Sequence, residues 1–295
     1  MSVFTLVNVK LTPLIIWGSQ RCSLVNGAKD MKGVNKIMDW EKLQDNLSKD
    51  VSVIKDGIWK DFFPNCWVFQ CKTEESWKEM RKHFICASES ACLLGLGYET
   101  NEWLWEQKTG HSIEKNFNKH SLELMEKGSK NEAFSRMQFA LDHECTIYDG
   151  TRKLVVNVNK ENLDENGNPF MAATYDAIAV HPEINDGKPF VVEFKRSESF
   201  KAFKDNINPP PHYRVQVIKQ LLVGELDASV LSARVVIFGD ADMPYKRRVY
   251  EKEYWFSTKD EDVRFDIEQL RKCEKHFWNK YILTNKRPEV LLPEI

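Results

Sequence analysis

Three things are missing from this chain, and each closes off a class of protein. Its seven cysteines, Cys22, Cys66, Cys71, Cys86, Cys92, Cys145 and Cys273, contain no Cys-x-x-Cys pair. Cys66 and Cys71 come near one another, but no His or Cys pair follows them at zinc-site spacing. A four-cysteine iron–sulfur set bracketing the centre is missing too, because only Cys273 lies beyond it. An odd, scattered set of thiols suits a reducing compartment rather than a disulfide framework. A membrane-spanning run is also missing. The opening stretch Phe4 to Trp17 is interrupted by Asn8, Lys10 and Pro13 and is too short for a bilayer. It lacks the basic start and small-residue cleavage site of a signal peptide, so the expectation is a soluble, cytoplasmic protein with no membrane contact. Third, neither sign of charge dominates. With a net charge of −2, no global positive field draws in nucleic acid, and any such contact must come from a local basic surface. Candidates are Arg81-Lys82-His83, Lys195-Arg196 with Lys201 and Lys204, and Lys246-Arg247-Arg248, though solvated charge runs look the same. There is no internal repeat and no low-complexity segment.

What is present describes a folded chain. Of 295 residues 42% are apolar and 29% charged, with nine Trp and seventeen Phe, which suits one large domain or a domain with an accessory lobe. Up to about residue 70 the pattern is poor: short strands around Phe4–Leu11 and Val51–Ile54, and a polar helix near Asp39–Leu47. From Glu74 it sharpens. Trp77, Met80 and Phe84 share a helical face, small residues lead to a Gly95/Gly97 turn, and a helix over Glu102–Lys108 stops at Gly110. Another helix is expected over Asn131–Leu141, with Glu132 in its first turn and Phe134, Met137 and Leu141 as its core stripe. Strands follow at Thr146–Tyr148 and Lys153–Val158. Pro209-Pro210-Pro211 opens a helix carrying Tyr213, Gln216, Val217, Gln220 and Leu221, which ends by Gly224. Val230–Phe238 and Arg248–Phe256 have strand composition. Thr258-x-x-Glu261 reads as a capping box before a helix with Val263, Ile267, Leu270, Phe277 and Tyr281 on one face. This order predicts an α/β fold, a central mixed sheet flanked by helices on both faces.

The chemistry concentrates in two apolar runs. Val191-Val192-Glu193-Phe194-Lys195 is a short strand carrying Glu-x-Lys, and Asp176 lies seventeen residues before Glu193 in the run Met171 to Val180. His181 to Pro189 between them is dense in chain-reversing residues. Two strands joined in this way form an antiparallel hairpin, and folding about its centre sets Asp176 across from Glu193. Glu193 and Lys195 share a face because strand side chains alternate. Two carboxylates and an ammonium on one patch of sheet are what metal-dependent nucleases use: the carboxylates hold Mg²⁺ and the lysine positions or deprotonates the attacking water. A solvated cross-strand ion pair uses the same residue types. The apolar neighbours Phe190, Val191, Val192 and Phe194 instead mark a central strand.

Five ordered motifs over residues 74 to 285 resemble the lambda-exonuclease-like, YqaJ-type viral recombinase nucleases of the Asp…Glu-x-Lys superfamily. They are Trp77-x-x-x-Arg81 with Ile85-Cys86-Ala87-Ser88-Glu89; Leu104-x-x-x-Lys108-Thr109-Gly110; Gly128-x-x-x-Glu132 followed by Phe134-Ser135; Asp176 with Glu193-Phe194-Lys195; and His212-Tyr213-x-x-Gln216. Tyr175-Asp176-Ala177 departs from the family's Pro-Asp-Gly turn. The resemblance implies a restriction-endonuclease-like core over 74–295 behind an N-terminal accessory segment, 1–73.

It also implies roles. Asp176, Glu193 and the Phe194 carbonyl would ligate Mg²⁺, with Mn²⁺ as a substitute, and Glu132 would support a second metal. Lys195 would orient the nucleophilic water, and Gln216 would position water or the strand. Arg81 and Ser88, joined by Thr174, resemble residues that grip a 5′-phosphate. The implied activity is 5′→3′ digestion of linear double-stranded DNA with a free end, leaving 3′ single strands for recombination. Such proteins can form toroidal homo-oligomers and pair with a single-strand annealing protein, in a phage- or virus-infected cell. The rival readings are an endonuclease on the same core and a non-catalytic DNA-binding protein.

Overall fold

The computed structural model describes residues 49–111, 132–197, 203, 205, 207–237 and 248–292. Several sequence expectations fall outside these: the strand at 4–11, the helix at 39–47, Gly128, and the basic residues Lys201, Lys204, Lys246 and Arg247.

Two five-stranded sheets form the frame. The first holds β1 (Val51–Ile54), β2 (Cys66–Cys71), β5 (Lys153–Asn157), β6 (Met171–Ala173) and β3 (Ile85–Cys86) side by side in that order. The second runs β10 (Arg248–Ser257), β9 (Ala228–Ile237), β8 (Phe190–Ser197), β7 (Ala177–Val180) and β4 (Thr146–Asp149). In each sheet one pair is parallel, β3 with β6 and β8 with β9, and the rest are antiparallel. The apolar run 171–180, expected as one strand, is two. Met171–Ala173 ends in the first sheet and Ala177–Val180 begins in the second, so Thr174, Tyr175 and Asp176 form the bend between sheets. Gly150 makes room for that bend: a Cβ there would lie 1.8 Å from the Tyr175 carbonyl oxygen.

Helices cover both sheets. Those before β4 are α1 (Ile58–Phe62), α2 (Glu74–Arg81), α3 (Asn101–Thr109) and α4 (132–142). A 3₁₀ segment, Ala87–Leu94, links β3 to α3 through left-handed Gly95, and left-handed Gly110 stops α3 as the sequence indicates. The crossover between parallel β8 and β9 is α5 (Pro211–Gly224), with proline in its first turn. It packs against both sheets, and ten of its fourteen residues are buried, the pattern of a helix enclosed on nearly all sides. Its left-handed end at Glu225 is held by Asn65, Asn157 and Asn159. The long helix α6 (Glu261–Phe277) presents Val263, Leu270 and Phe277 to the main core.

Two local expectations give way to tertiary packing. Asp260, not Thr258, is the N-cap of α6, and Thr258 instead hydrogen-bonds the Asp227 carbonyl through its amide and hydroxyl. On α4 the stripe Phe134, Met137 and Leu141 is 45%, 55% and 68% exposed. The helix docks through Phe139, which packs with Ala177, Val192 and Val230 on the second sheet.

Candidate active site

The site grows out of the alternation along β8. Phe190 and Val192 point to the α4 side of the sheet, and Val191 to the α5 side. Glu193 and Lys195 continue the α5-facing row, so the strand turns from apolar to charged as it leaves the core. The β7–β8 register pairs Ala177 with Val192 and Ile178 with Val191, and one more step places Asp176 opposite Glu193. One Asp176 carboxylate oxygen accepts the Phe194 amide at 2.8 Å.

Glu193 is held on both oxygens although only 1% exposed. Oε1 accepts Lys195 Nζ at 2.7 Å and also the Gln216 amide, and Oε2 accepts Gln220 Nε2 at 2.6 Å. Gln216 and Gln220 are one turn apart on α5 and so reach the same carboxylate. Gln220 also donates to the Thr174 carbonyl at 3.0 Å, tying the bend to the site. Lys195 Nζ lies 5.0 Å from the Tyr213 ring centroid. Burial works against the charge on Lys195, but Glu193 and Asp176 outweigh it and hold the ammonium above its usual range. For Asp176, burial and then the Glu193 charge push the carboxyl well above the ordinary range.

Glu132 opens α4 and engages Arg136, Oε1 to Nη1 at 2.5 Å. The same guanidinium nitrogen lies 3.4 Å from Asp149 Oδ1 and 3.4 Å from the Asp176 carbonyl. Burial raises the Glu132 pKa against the pull of Arg136, and Glu193 adds to the rise. Among the described residues no three His, Cys, Asp or Glu side chains close into a metal-ligating cluster. Glu132 is joined to Arg136, and Glu193 to amine and amide donors. The available donors are nevertheless all oxygen, and the Glu193 charge adds to the rise in pKa of both Asp176 and Glu132. An all-oxygen, electron-rich set of this kind suits a hard divalent cation such as Mg²⁺ rather than Zn²⁺.

A second cluster lies where β3 and β6 leave the first sheet. Their parallel register pairs Ile85 with Met171 and Cys86 with Ala172, and the chain then turns into the 3₁₀ segment that carries Ser88 and Glu89. Arg81 Nη2 donates to Ser88 Oγ at 2.8 Å and lies 3.6 Å from Glu89 Oε1, while its guanidinium covers the Trp77 ring at 4.5 Å. Ser88 is exposed and Glu89 buried. Glu89 also holds Lys108 Nζ at 2.7 Å and the Cys86 amide at 2.9 Å. Burial opposes its charge, and Lys108 with Arg81 overcomes that and keeps its pKa low. Beneath the cluster, Ser90 donates to Glu274 Oε1 at 2.6 Å, and Glu274 pairs with Lys219 of α5 inside the core.

Of the residues singled out from sequence, Asp176, Glu193, Phe194, Lys195 and Gln216 fall together, and Arg81 pairs with Ser88. Thr174 hydrogen-bonds toward the Glu193 side and makes none to Arg81 or Ser88 among the described residues. Sequence reading missed Gln220, Tyr213, Arg136, Glu89 and Lys108 as members of these clusters. Gln220 was visible as the i+4 neighbour of Gln216. Nothing local announced that Glu89 and Lys108 would meet.

A mixed α/β frame brings Asp176, Glu193 and Lys195 together where two sheets meet, a grouping that suits a DNA nuclease. The family model of the YqaJ-like viral recombinase domain matches residues 76–227, just over half of the chain. The chain belongs to this family. Solved structures resemble it more loosely. LHK-Exo in complex with dAMP is 15% identical with a TM-score of 0.45, covering 72% of this chain and 93% of that one. The alkaline exonuclease LHK-Exo from Laribacter hongkongensis is 14% identical with a TM-score of 0.41, covering 69% and 94%. A phage-related exonuclease from Haemophilus somnus is 10% identical with a TM-score of 0.41, covering 70% and 99%. At these scores the likeness carries no residue-level conclusion. No curated protein matches the sequence. Among the described residues no helix is long and apolar enough to cross a membrane.

Proposed function

We propose that the protein is a Mg²⁺-dependent exonuclease that digests linear double-stranded DNA in the 5′→3′ direction, leaving 3′ single strands for recombination. The observation that carries this reading is the β7–β8 register, which sets the Asp176 and Glu193 carboxylates opposite one another with Lys195 bound to Glu193. Asp176, Glu193, the Phe194 carbonyl and Glu132 would hold the metal. Bound there, Mg²⁺ supplies Lewis acidity, easing deprotonation of water and stabilising charge on the phosphate and the leaving 3′-oxygen.

The chain's own groups do the rest. Lys195, held as an ammonium, donates a hydrogen bond that orients the attacking water toward phosphorus. Gln216 and Gln220 fix the Glu193 carboxylate from α5, so the donors are in place before substrate arrives. Hydrolysis joins the water oxygen to phosphorus and breaks the P–O3′ bond, with a proton passing to the departing oxygen.

End specificity falls to Arg81 and Ser88. A guanidinium fork and a hydroxyl suit a terminal phosphate dianion, and the hydrogen bond between Arg81 and Ser88 brings the two together. Glu89 and Lys108 hold Arg81 in position from below. Partners on this reading are duplex DNA with a free end, a single-strand annealing protein, and other copies of the chain in a toroid.

The test compares end-labelled linear duplex, with and without a 5′-phosphate, against a closed circular plasmid, each with Mg²⁺ and with EDTA. Release of labelled nucleotides from phosphorylated linear DNA, with an intact plasmid, is expected. Cutting of the plasmid would make the protein an endonuclease on the same core. Metal-independent or absent cleavage would overturn the reading.

A further inference from the structure

A string of aromatic rings runs from Lys195 to the surface. Lys195 Nζ sits 5.0 Å from the Tyr213 ring centroid, and the Tyr213 ring is 4.0 Å from His212 and stacks at 5.8 Å on Phe203. His212 meets Tyr98 with ring centroids 4.9 Å apart, and the Tyr98 hydroxyl and His212 Nε2 share a hydrogen bond of 3.1 Å. Phe203 is buried and Tyr213 and His212 are partly buried, whereas Tyr98 is 79% exposed.

An exposed Tyr on a surface loop is ordinarily mobile and carries no message. This one is anchored at both ends. Its hydroxyl is tied to His212 on α5, and its backbone follows Gly97, where an added Cβ would lie 3.0 Å from the Cys92 amide. The amides of Leu96 and Gly97 both hydrogen-bond the Ala91 carbonyl, fixing the loop to the 3₁₀ segment. A rigid aromatic surface with its ordering cost already met is what a binding site needs. The partner is set by what lies next to it. Three successive contacts lead from Lys195 through Tyr213 and His212 to Tyr98, so an occupant of that face lies along the path to the group being cut, and a neutral aromatic plane suits a nucleobase rather than a phosphate.

We propose that Tyr98, backed by His212, is a stacking platform for an unpaired nucleobase of the strand being cut, on the path to the scissile phosphate. The inference rests on the nuclease reading above and adds to it a contact with the base, independent of sequence because every base has a π face. The platform holds the end of the cut strand away from its complement, a binding contact made alike before and during cleavage.

The experiment uses the full chain with duplexes whose 5′ end is mismatched over its first nucleotides and carries 2-aminopurine there, bright while unpaired. Ca²⁺ replaces Mg²⁺ to permit binding without cleavage. Fluorescence and Kd are read together for the parent, Tyr98→Ala and Tyr98→Phe. Binding to the parent and to Tyr98→Phe is expected to quench the probe. Tyr98→Ala is expected to leave it bright and to weaken binding roughly tenfold, within the range seen when a stacked aromatic is truncated. In Mg²⁺ the same variant should raise KM while kcat changes little. Quenching and affinity in Tyr98→Ala equal to the parent's would overturn the platform and leave the nuclease reading standing. Failure of the parent to bind DNA would overturn both. Because Tyr98 is exposed, unfolding of the variant is not expected, and an unchanged thermal melt checks this.

Discussion

Lys219 and Glu274 form an ion pair with both side chains 0% exposed, joining the helix that holds Glu193 to the long helix α6. Removing one partner leaves the other charge without water or counterion. For such breakage the cost is roughly 3–5 kcal/mol, so Lys219→Ala should lower Tm by on the order of 10 °C for a protein of this size. Replacing both residues is a different perturbation. Lys219→Met with Glu274→Leu removes both charges while keeping similar volume, and Ser90 Oγ keeps the Cys86 carbonyl at 3.3 Å. That double variant should lie within about 1–2 kcal/mol of the parent, or above it, because a buried pair recovers little more than its own desolvation.

The loss in Lys219→Ala should also depend on pH. Burial already raises the Glu274 pKa, with Lys219 pulling it down, so losing Lys219 raises it further. A carboxyl whose folded pKa lies above its unfolded value is stabilising below the unfolded pKa, and that contribution is lost as pH rises through the folded pKa. The deficit of Lys219→Ala should therefore be smaller near pH 5 than near pH 8. Urea unfolding of the parent, both single variants and the double variant at the two pH values measures all of this. If the double variant loses as much as Lys219→Ala, the damage comes from lost packing, and the charge argument fails.

Asp176→Ala and Glu193→Ala should each abolish Mg²⁺-dependent cleavage while binding of duplex DNA persists by gel shift; near-parental turnover in either would remove it from the active site. Lys195→Ala should lose most activity yet keep metal binding, because an ammonium contributes no ligand bond; a collapse of Mn²⁺ affinity by calorimetry would contradict this. Arg81→Ala should slow digestion of 5′-phosphorylated ends by roughly tenfold or more, since each charge-assisted hydrogen bond is worth about 1.5–3 kcal/mol, and should spare 5′-hydroxyl ends. Equal losses on the two ends would reduce Arg81 to a structural residue, held as it is by Trp77, Ser88 and Glu89.

Short-range chemistry was legible in the sequence, and the part of the site that depends on it was legible with it. The reversal His181–Pro189 and the two-residue period of strands set Asp176 across from Glu193 and put Lys195 on the same face as Glu193. Pro211 opened α5 and Gly110 closed α3 because each residue restricts or permits particular backbone angles wherever it stands. Position i+4 on a helix also made Gln216 and Gln220 neighbours. All of this follows from bonding geometry within a few residues.

Tertiary structure decided the rest, because those outcomes depend on what packs where. The run 171–180 reads in sequence as one mostly apolar segment, and only the meeting of two sheets bends it at Thr174–Asp176 and gives Asp176 its position. Phe134, Met137 and Leu141 have the spacing of a core stripe, yet α4 buries Phe139 because that face meets β7 and β8. Thr258 has the sequence of a cap but hydrogen-bonds Asp227, leaving Asp260 at the helix start. Glu89 with Lys108, and Glu274 with Lys219, are far apart in the chain. In sequence each is an ordinary charge that water would satisfy; folding removes the water, and only a distant residue of opposite sign can take its place.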